Sequence, residues 1–290
     1  MRPPVIPADW PYRNQSRHIA SRPHLWHVQD IGAGPTMLLI HGAGGATHSF
    51  RNLIPLLSQT HRLIVIDLPG QGFTVLGAKS RCNLDAMAQD LVALCKQQDW
   101  QPTAIIGHSA GAALALRMAE ILPIRAVIGI NAALGKFEGV AGWVFPVMAR
   151  VLALTPLVAQ VFSKLAATPS QVRQLLTSTG SRVDPAGEAQ YLHLLRMPTH
   201  VSATLSMMAQ WDLDGLLARL PRQTLPCLLI TSTNDRAVPA SVSAKVAAQM
   251  PNAKWVDIPG HGHLVHEEAA DQVAPLILSF LAQHAQTART

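Results

Sequence analysis

A serine between two glycines, an aspartate far downstream and a histidine beyond it are the side chains that acyl transfer requires. Gly107-His-Ser-Ala-Gly111 holds Ser109 in a Gly-x-Ser-x-Gly pentapeptide. It follows an apolar run ending at Ile106 and opens a segment of helical spacing from Ala110. In that strand–turn–helix setting the motif is a nucleophile elbow, a strained turn that lifts the serine Oγ clear of the chain. The flanking glycines let strand and helix approach where any side chain would collide. A serine hydroxyl is a weak nucleophile without a base, and the base needs an acid to orient it. Asp235, in Thr231-Ser-Thr-Asn-Asp-Arg236, and His263, in Pro259-Gly-His-Gly-His263, supply the pair. Each lies just past a short apolar run, in the order Ser, Asp, His.

His261 and His266 crowd the same segment, so residue types alone leave open which imidazole is the base. Three histidines so spaced could also ligate zinc, but no fourth ligand lies nearby, and no metal or other cofactor is expected. His41-Gly-Ala-Gly-Gly45 follows the run Met37–Ile40. A tetrahedral intermediate concentrates charge on one oxygen and needs preorganised N–H donors. The backbone N–H groups of Ala43 and Ala110 are the expected oxyanion hole. Gly42, Gly44, His108 and Trp143 are expected at the substrate. A phosphate-binding reading of the glycine loop fails because neither GxxxxGK[ST] nor GxGxxG is present.

The elements that must position these residues follow from hydropathy. Met37–Ile40, Leu63–Ile66, Ala104–Ile106, Ala126–Ile130, Leu228–Ile230 and Trp255–Ile258 read as strands, apolar enough to be buried on both faces. Leu84–Cys95, Ala110–Leu122, Ser241–Gln249 and Ala269–Ala282 read as helices between them. The alternation predicts a doubly wound, mostly parallel α/β sheet. Arg17–Ser21 and Leu25–Asp30 are expected to add antiparallel strands at one edge. Between Gly135 and Pro221 strand signals stop, and Pro146, Pro156, Pro169, Pro185 and Pro198 cut the chain into short helices. We expect a core of residues 1–134 and 222–290 with a helical cap, 135–221, inserted between.

Composition bounds the rest. Of the 290 residues, 49% are hydrophobic and only 14% charged, which excludes intrinsic disorder. The formal charge of +6 is scattered with no run of three basic residues, so nucleic acid is not an expected partner. Cys82, Cys95 and Cys227 have no metal or disulfide spacing and read as free thiols of a reducing cytoplasm. The first ten residues lack the apolar stretch and cleavage site of a signal peptide. Gly139–Ser163 carries Arg150 as its one formal charge. Arg150 and two prolines interrupt it too often for a membrane span, which needs about 20 apolar residues. It is expected either to bury against the core or to present an apolar face to a greasy ligand or a membrane surface.

His41-Gly, Asp67-Leu-Pro-Gly70, Gly107-His-Ser-Ala-Gly111, Asp235 and Gly262-His263 together resemble the α/β-hydrolase superfamily over essentially the whole chain. Within it, Gly262-His263 followed by Glu268 matches the usual ending of such chains and favours His263 as the base. A narrower resemblance is to the magnesium-chelatase accessory proteins of bacteriochlorophyll biosynthesis, the BchO type. It is carried by Trp10-Pro, Ser16-Arg17, Trp26-His-Val-Gln29, Ala46-Thr-His-Ser-Phe50-Arg, Asp67-Leu-Pro-Gly-Gln-Gly-Phe-Thr74, Gly129-Ile-Asn-Ala-Ala-Leu134 and His263-Leu-Val-His-Glu-Glu268. Gln71 stands where histidine is commoner, and Phe50 where tryptophan is. The resemblance implies a role near magnesium insertion into protoporphyrin IX in a phototrophic bacterium. It also implies contact with magnesium chelatase, and an apolar ligand of the porphyrin class. The expected reaction is serine hydrolysis by Ser109, Asp235 and His263. The alternatives are a general carboxylesterase of small apolar esters and a non-catalytic porphyrin-binding module. The expected location is cytoplasmic, with peripheral membrane contact through the cap.

Overall fold

The computed structural model describes residues 2–135 and 167–286. Eight strands form one sheet: β1 (Ser16–Ser21), β2 (His24–Ile31), β3 (Thr36–Ile40), β4 (Arg62–Ile66), β5 (Ala104–His108), β6 (Ala126–Ile130), β7 (Cys227–Ser232) and β8 (Ala253–Ile258). Their order is β1-β2-β4-β3-β5-β6-β7-β8. The β1–β2 and β2–β4 pairings are antiparallel and the rest parallel. This is the α/β-hydrolase fold, and each strand expected from the sequence is present within one or two residues.

The uninterrupted apolar runs reflect burial on both faces. Leu38, Ile40, Ile64 and Ile66 pack on one side of the sheet. Met37, Leu39, Leu63 and Val65, alternating with them, pack on the other. The helices are α1 (Ile54–Leu57), α2 (Leu84–Gln97), α3 (Ala110–Ala119), α4 (Pro169–Ser178), α5 (Pro185–Leu195), α6 (Pro198–Ala209), α7 (Asp214–Arg219), α8 (Ala240–Gln249), α9 (Val265–Glu268) and α10 (Ala270–Gln286). α3 stops short of the expected Leu122 because Pro123 disfavours helix in the residues before it. Of the five prolines expected to cut the 135–221 segment, three fall within the described residues, and each starts a helix. Pro169, Pro185 and Pro198 open α4, α5 and α6 in the first turn, where no N–H is needed. Thr168 closes a capping box with Gln171, and Asp184 caps α5 through the Gly187 N–H.

Strand order reverses beside β3. The chain passes from β3 to β4 on one side, then returns to β5 on the other. The loops leaving the C-terminal ends of β3 and β5 therefore diverge and leave a crevice, the usual ligand position in open α/β sheets. These loops carry His41–Gly45 and Ser109. Gly139–Ser163 and Trp143 lie outside the described residues. No helix among the described residues is long and apolar enough to cross a membrane. Cys82, Cys95 and Cys227 are buried free thiols.

Candidate active site

Ser109 sits between β5 and α3 with φ 51° and ψ −118°, backbone that non-glycine residues rarely adopt. The turn is held from both sides: the Ser109 N–H donates to the Ile130 carbonyl at 2.9 Å, and the Ser109 carbonyl accepts from Ala133 at 3.1 Å. A Cβ on Gly107 would stand 2.2 Å from the Gly111 carbonyl oxygen, and one on Gly111 2.2 Å from that of Ile40. That crowding is why both flanking positions are glycine.

Asp235 and His263 leave the ends of β7 and β8 and meet. The imidazole Nδ1–H of His263 donates to Asp235 Oδ2 at 2.8 Å, while Oδ1 accepts the Ala237 and Val238 N–H groups, each at 2.8 Å. The Asp235 side chain is 1% exposed and that of His263 11%. The other two histidines of the segment point elsewhere. His261 faces Glu268 at 3.8 Å, and His266 turns into the core with its ring 4.3 Å from that of His108. Among the described residues no group of three or more metal-ligating side chains forms.

Ser109, Ala43 and Ala110 line one cavity of about 730 Å³. Neither the Ala43 nor the Ala110 N–H has a backbone acceptor among the described residues. The residues expected at the substrate fare differently. His108 lies beneath the site: its Nε2–H donates to the His263 carbonyl at 2.9 Å, and its ring lies 4.7 Å from the His263 ring, tilted 56° to it. Strand alternation is the cause, since Ser109 faces the crevice and its neighbour must face away. Burial, reinforced by His266 and His263, holds His108 neutral, well below the usual histidine range. Gly42 lies against the elbow, where a Cβ would come 2.9 Å from that of Ser109. Gly44 is engaged with protein on both sides of its peptide. Its N–H donates to Gln71 Oε1 at 2.8 Å, and its carbonyl accepts His200 Nε2–H at 3.2 Å. Trp143 lies outside the described residues; Trp211 lines the cavity, and Trp26 is fully buried with its indole N–H on the Ser21 carbonyl.

Four residues that sequence reading passed over hold the site in shape. Asn131, at φ 43°, donates from Nδ2 to the Gly262 carbonyl at 3.0 Å and the His263 carbonyl at 2.8 Å. The Thr179 carbonyl, at the end of α4, accepts the N–H groups of both Arg236 and His263. Gln71, which departs from the commoner histidine, and His200 of α6 clamp Gly44. His200 also accepts the Gly72 N–H at its Nδ1, 3.0 Å away. Burial, with help from His41, pulls His200 down to about 4, so it is neutral and can donate at Nε2 while accepting at Nδ1. Gln71, Asn131 and His200 are buried polar residues, but none announces its partner, and Thr179 acts through its main-chain carbonyl.

Below this layer Asp67 anchors the turn after β4. It binds His27 Nδ1 at 2.6 Å and accepts the Thr47 and Phe73 N–H groups at 2.7 and 2.9 Å. Burial pushes its carboxyl up, but His27, its hydrogen bond, His41 and the Phe73 N–H outweigh that and hold it at about 2.

Neither ring nitrogen of His266 finds a hydrogen-bond partner among the described residues. Burial, followed by repulsion from His263 and Arg51, lowers it to about 3. A histidine lowered in the folded state binds its proton first in the unfolded chain. The contribution of His200 and His266 is therefore complete above about pH 6.5 and is lost as pH falls toward their folded values. Replacing His266 by phenylalanine, of similar shape, should leave the melting temperature at pH 7 equal or higher, because no hydrogen bond is lost. It should also flatten the melting-temperature profile between pH 6.5 and 4. A variant whose acid profile matches the wild type would show that His266 does not titrate with unfolding.

Comparison with known proteins agrees with this architecture. A family model described as alpha/beta hydrolase fold matches residues 35–270. A Rhodobacter capsulatus protein named the magnesium-chelatase 30 kDa subunit is 48% identical over 283 residues, covering 97% of this chain and 99% of its own. A pimeloyl-[acyl-carrier protein] methyl ester esterase of Xanthomonas oryzae pv. oryzae is 29% identical, with 88% of this chain and 98% of its own covered. The crystal structure of an alpha/beta hydrolase fold protein from Burkholderia ambifaria superposes with a TM-score of 0.76 at 20% identity, over 91% of this chain and 97% of its own. On the strength of the matched sheet, loops and family model, the chain belongs to the alpha/beta hydrolase fold family.

Proposed function

We propose that this protein is a serine hydrolase acting on an acyl group of a large apolar ligand of the porphyrin class, in support of magnesium insertion. One observation carries the chemistry: Ser109, held at positive φ in the cavity wall, follows His108, whose ring donates to the carbonyl of the same His263 that is paired to Asp235. In this reading the Ser109 Oγ attacks the acyl carbonyl while His263 Nε2 takes its proton. The Ala43 and Ala110 N–H groups bind the oxyanion. The ester C–O bond then breaks, and the imidazolium returns the proton to the departing alkoxide. Water, deprotonated by the same imidazole, releases the acid and restores Ser109. Asp235 holds the tautomer and stabilises the imidazolium.

The magnesium-chelatase role is supported by the 48% identical relative over nearly its full length. In this reading residues 135–221 form the cap, through which the protein meets a membrane surface, and the protein also contacts the chelatase. The test is a strain lacking the gene, supplied with wild type or Ser109→Ala, with accumulated porphyrin intermediates measured. The variant should fail to restore pigment. Full restoration by a folded Ser109→Ala protein would overturn the catalytic part of the proposal.

The Gly44 clamp has its own consequence. Gln71 and His200 are not among the residues lining the cavity; they position the loop that carries Ala43. Gln71→Ala and His200→Ala should each lower kcat by about 10- to 100-fold, the effect of displacing a donor by a fraction of an ångström. KM should stay within about twofold, because the apolar walls are untouched. Equal changes in kcat and KM would refute a positioning role.

A further inference from the structure

The cavity at Ser109 has a charge pattern that ester hydrolysis alone does not use. Its described walls are apolar over most of their extent, with Met207, Trp211, Leu213 and Val242 among them. No aspartate or glutamate is among the described lining residues, yet two cations are, Arg236 and Lys245. Neither is a member of the ion pairs formed among the described residues. Arg236 follows Asp235 directly, and its backbone is fixed by the bond from its N–H to Thr179 at 3.1 Å. Its stem runs past Gly180, whose missing Cβ would sit 3.5 Å from the Arg236 Cγ. Lys245 projects from the face of α8 that also presents Ser241, Val242 and Gln249 to the cavity. Both cations are exposed to solvent while lining the same largely apolar cavity.

We propose that Arg236 and Lys245 form a carboxylate-anchoring subsite, and that the substrate is an amphipathic acid. Its bulky apolar body fills the cavity, one acyl group lies at Ser109, and a separate free carboxylate reaches the two cations. A singly charged carboxylate suits two cations that remain hydrated. The inference rests on the hydrolase reading for the acyl group at Ser109, but not for the recognition of the carboxylate.

Two measurements separate the two claims. In the first, kcat/KM is compared for p-nitrophenyl dodecanoate and for the mono-p-nitrophenyl ester of dodecanedioic acid, which differ by one terminal carboxylate. In the second, quenching of tryptophan fluorescence follows binding of protoporphyrin IX and of its dimethyl ester to Ser109→Ala. The free acids should be preferred about tenfold at low salt, as expected for a hydrogen bond to a charged group. The preference should shrink as salt screens the exposed pair. It should vanish in the R236Q/K245Q double variant, with its melting temperature checked against wild type. Equal kcat/KM for the two esters together with equal binding of the two porphyrins would overturn the subsite while leaving the hydrolase reading intact. A preference that survives in the double variant would overturn it too. Selective binding of the free acid without hydrolysis of either ester would support the subsite and count against the hydrolase reading.

Discussion

Ser109→Ala should abolish covalent labelling by a fluorophosphonate and lower ester hydrolysis by roughly 10⁶-fold, the cost of removing the nucleophile from an otherwise assembled serine site. The substitution isolates one atom. Alanine has the same Cβ, so it meets the same strain at φ 51° and keeps the bonds to Ile130 and Ala133. Only the Oγ leaves, and the melting temperature should move by no more than a few degrees. If the Ala43 and Ala110 N–H groups bind the oxyanion as proposed, a small residual rate over water is expected. Labelling that persists in the variant would place the nucleophile elsewhere. Absence of labelling in folded wild-type protein would remove the case for hydrolysis.

Asp235→Asn should lower kcat by about 10⁴-fold while leaving the fold in place. The reason lies in how the carboxylate is held. Its Oδ1 accepts two N–H groups, from Ala237 and Val238, so the oxygen of an asparagine must occupy that side. The amide NH₂ then faces His263 Nδ1, which can no longer donate and must accept. The imidazole proton is forced to Nε2, the nitrogen that has to receive the serine proton. Two backbone donors thus dictate the wrong tautomer. Fluorophosphonate labelling should slow by a comparable factor, because the same proton transfer is needed. His261→Ala should stay within a few-fold of wild type, since His261 faces Glu268 instead. The opposite ranking would move the base from His263 to His261.

Much of this architecture was legible in the chain, for reasons that particular residues make clear. Runs such as Leu63–Ile66 have no polar face, so they fit only a sheet covered on both sides, and parallel strands share one C-terminal edge. Once Ser109, Asp235 and His263 lie just past three such runs, they belong to that edge. The order of the loops follows, because local chemistry and strand direction are both written in a few adjacent residues. Gly107 and Gly111 were equally readable, since a close approach tolerates no side chain.

His108 marks where that legibility stopped. Its place in the elbow suggested substrate contact, but a strand reverses sides at each residue, and the ring went under the His263 loop. Which of three neighbouring histidines would pair with Asp235 could not be read from their types. The choice depends on how the loops after β7 and β8 are held, and Asn131, Thr179 and Glu268 do that from separate parts of the chain.

The sequence by itself determined the strands, the elbow and the order of the candidate catalytic residues, because each rests on patterns or steric limits within a few residues. Only the tertiary structure decided the partner of Asp235, the clamp of Gln71 and His200 on Gly44, and the pairing of two lone cations with an apolar cavity. Those depend on hydrogen bonds and packing between segments tens to more than a hundred residues apart. Folding decides which buried polar groups find one another, and residue type records only that each must find some partner.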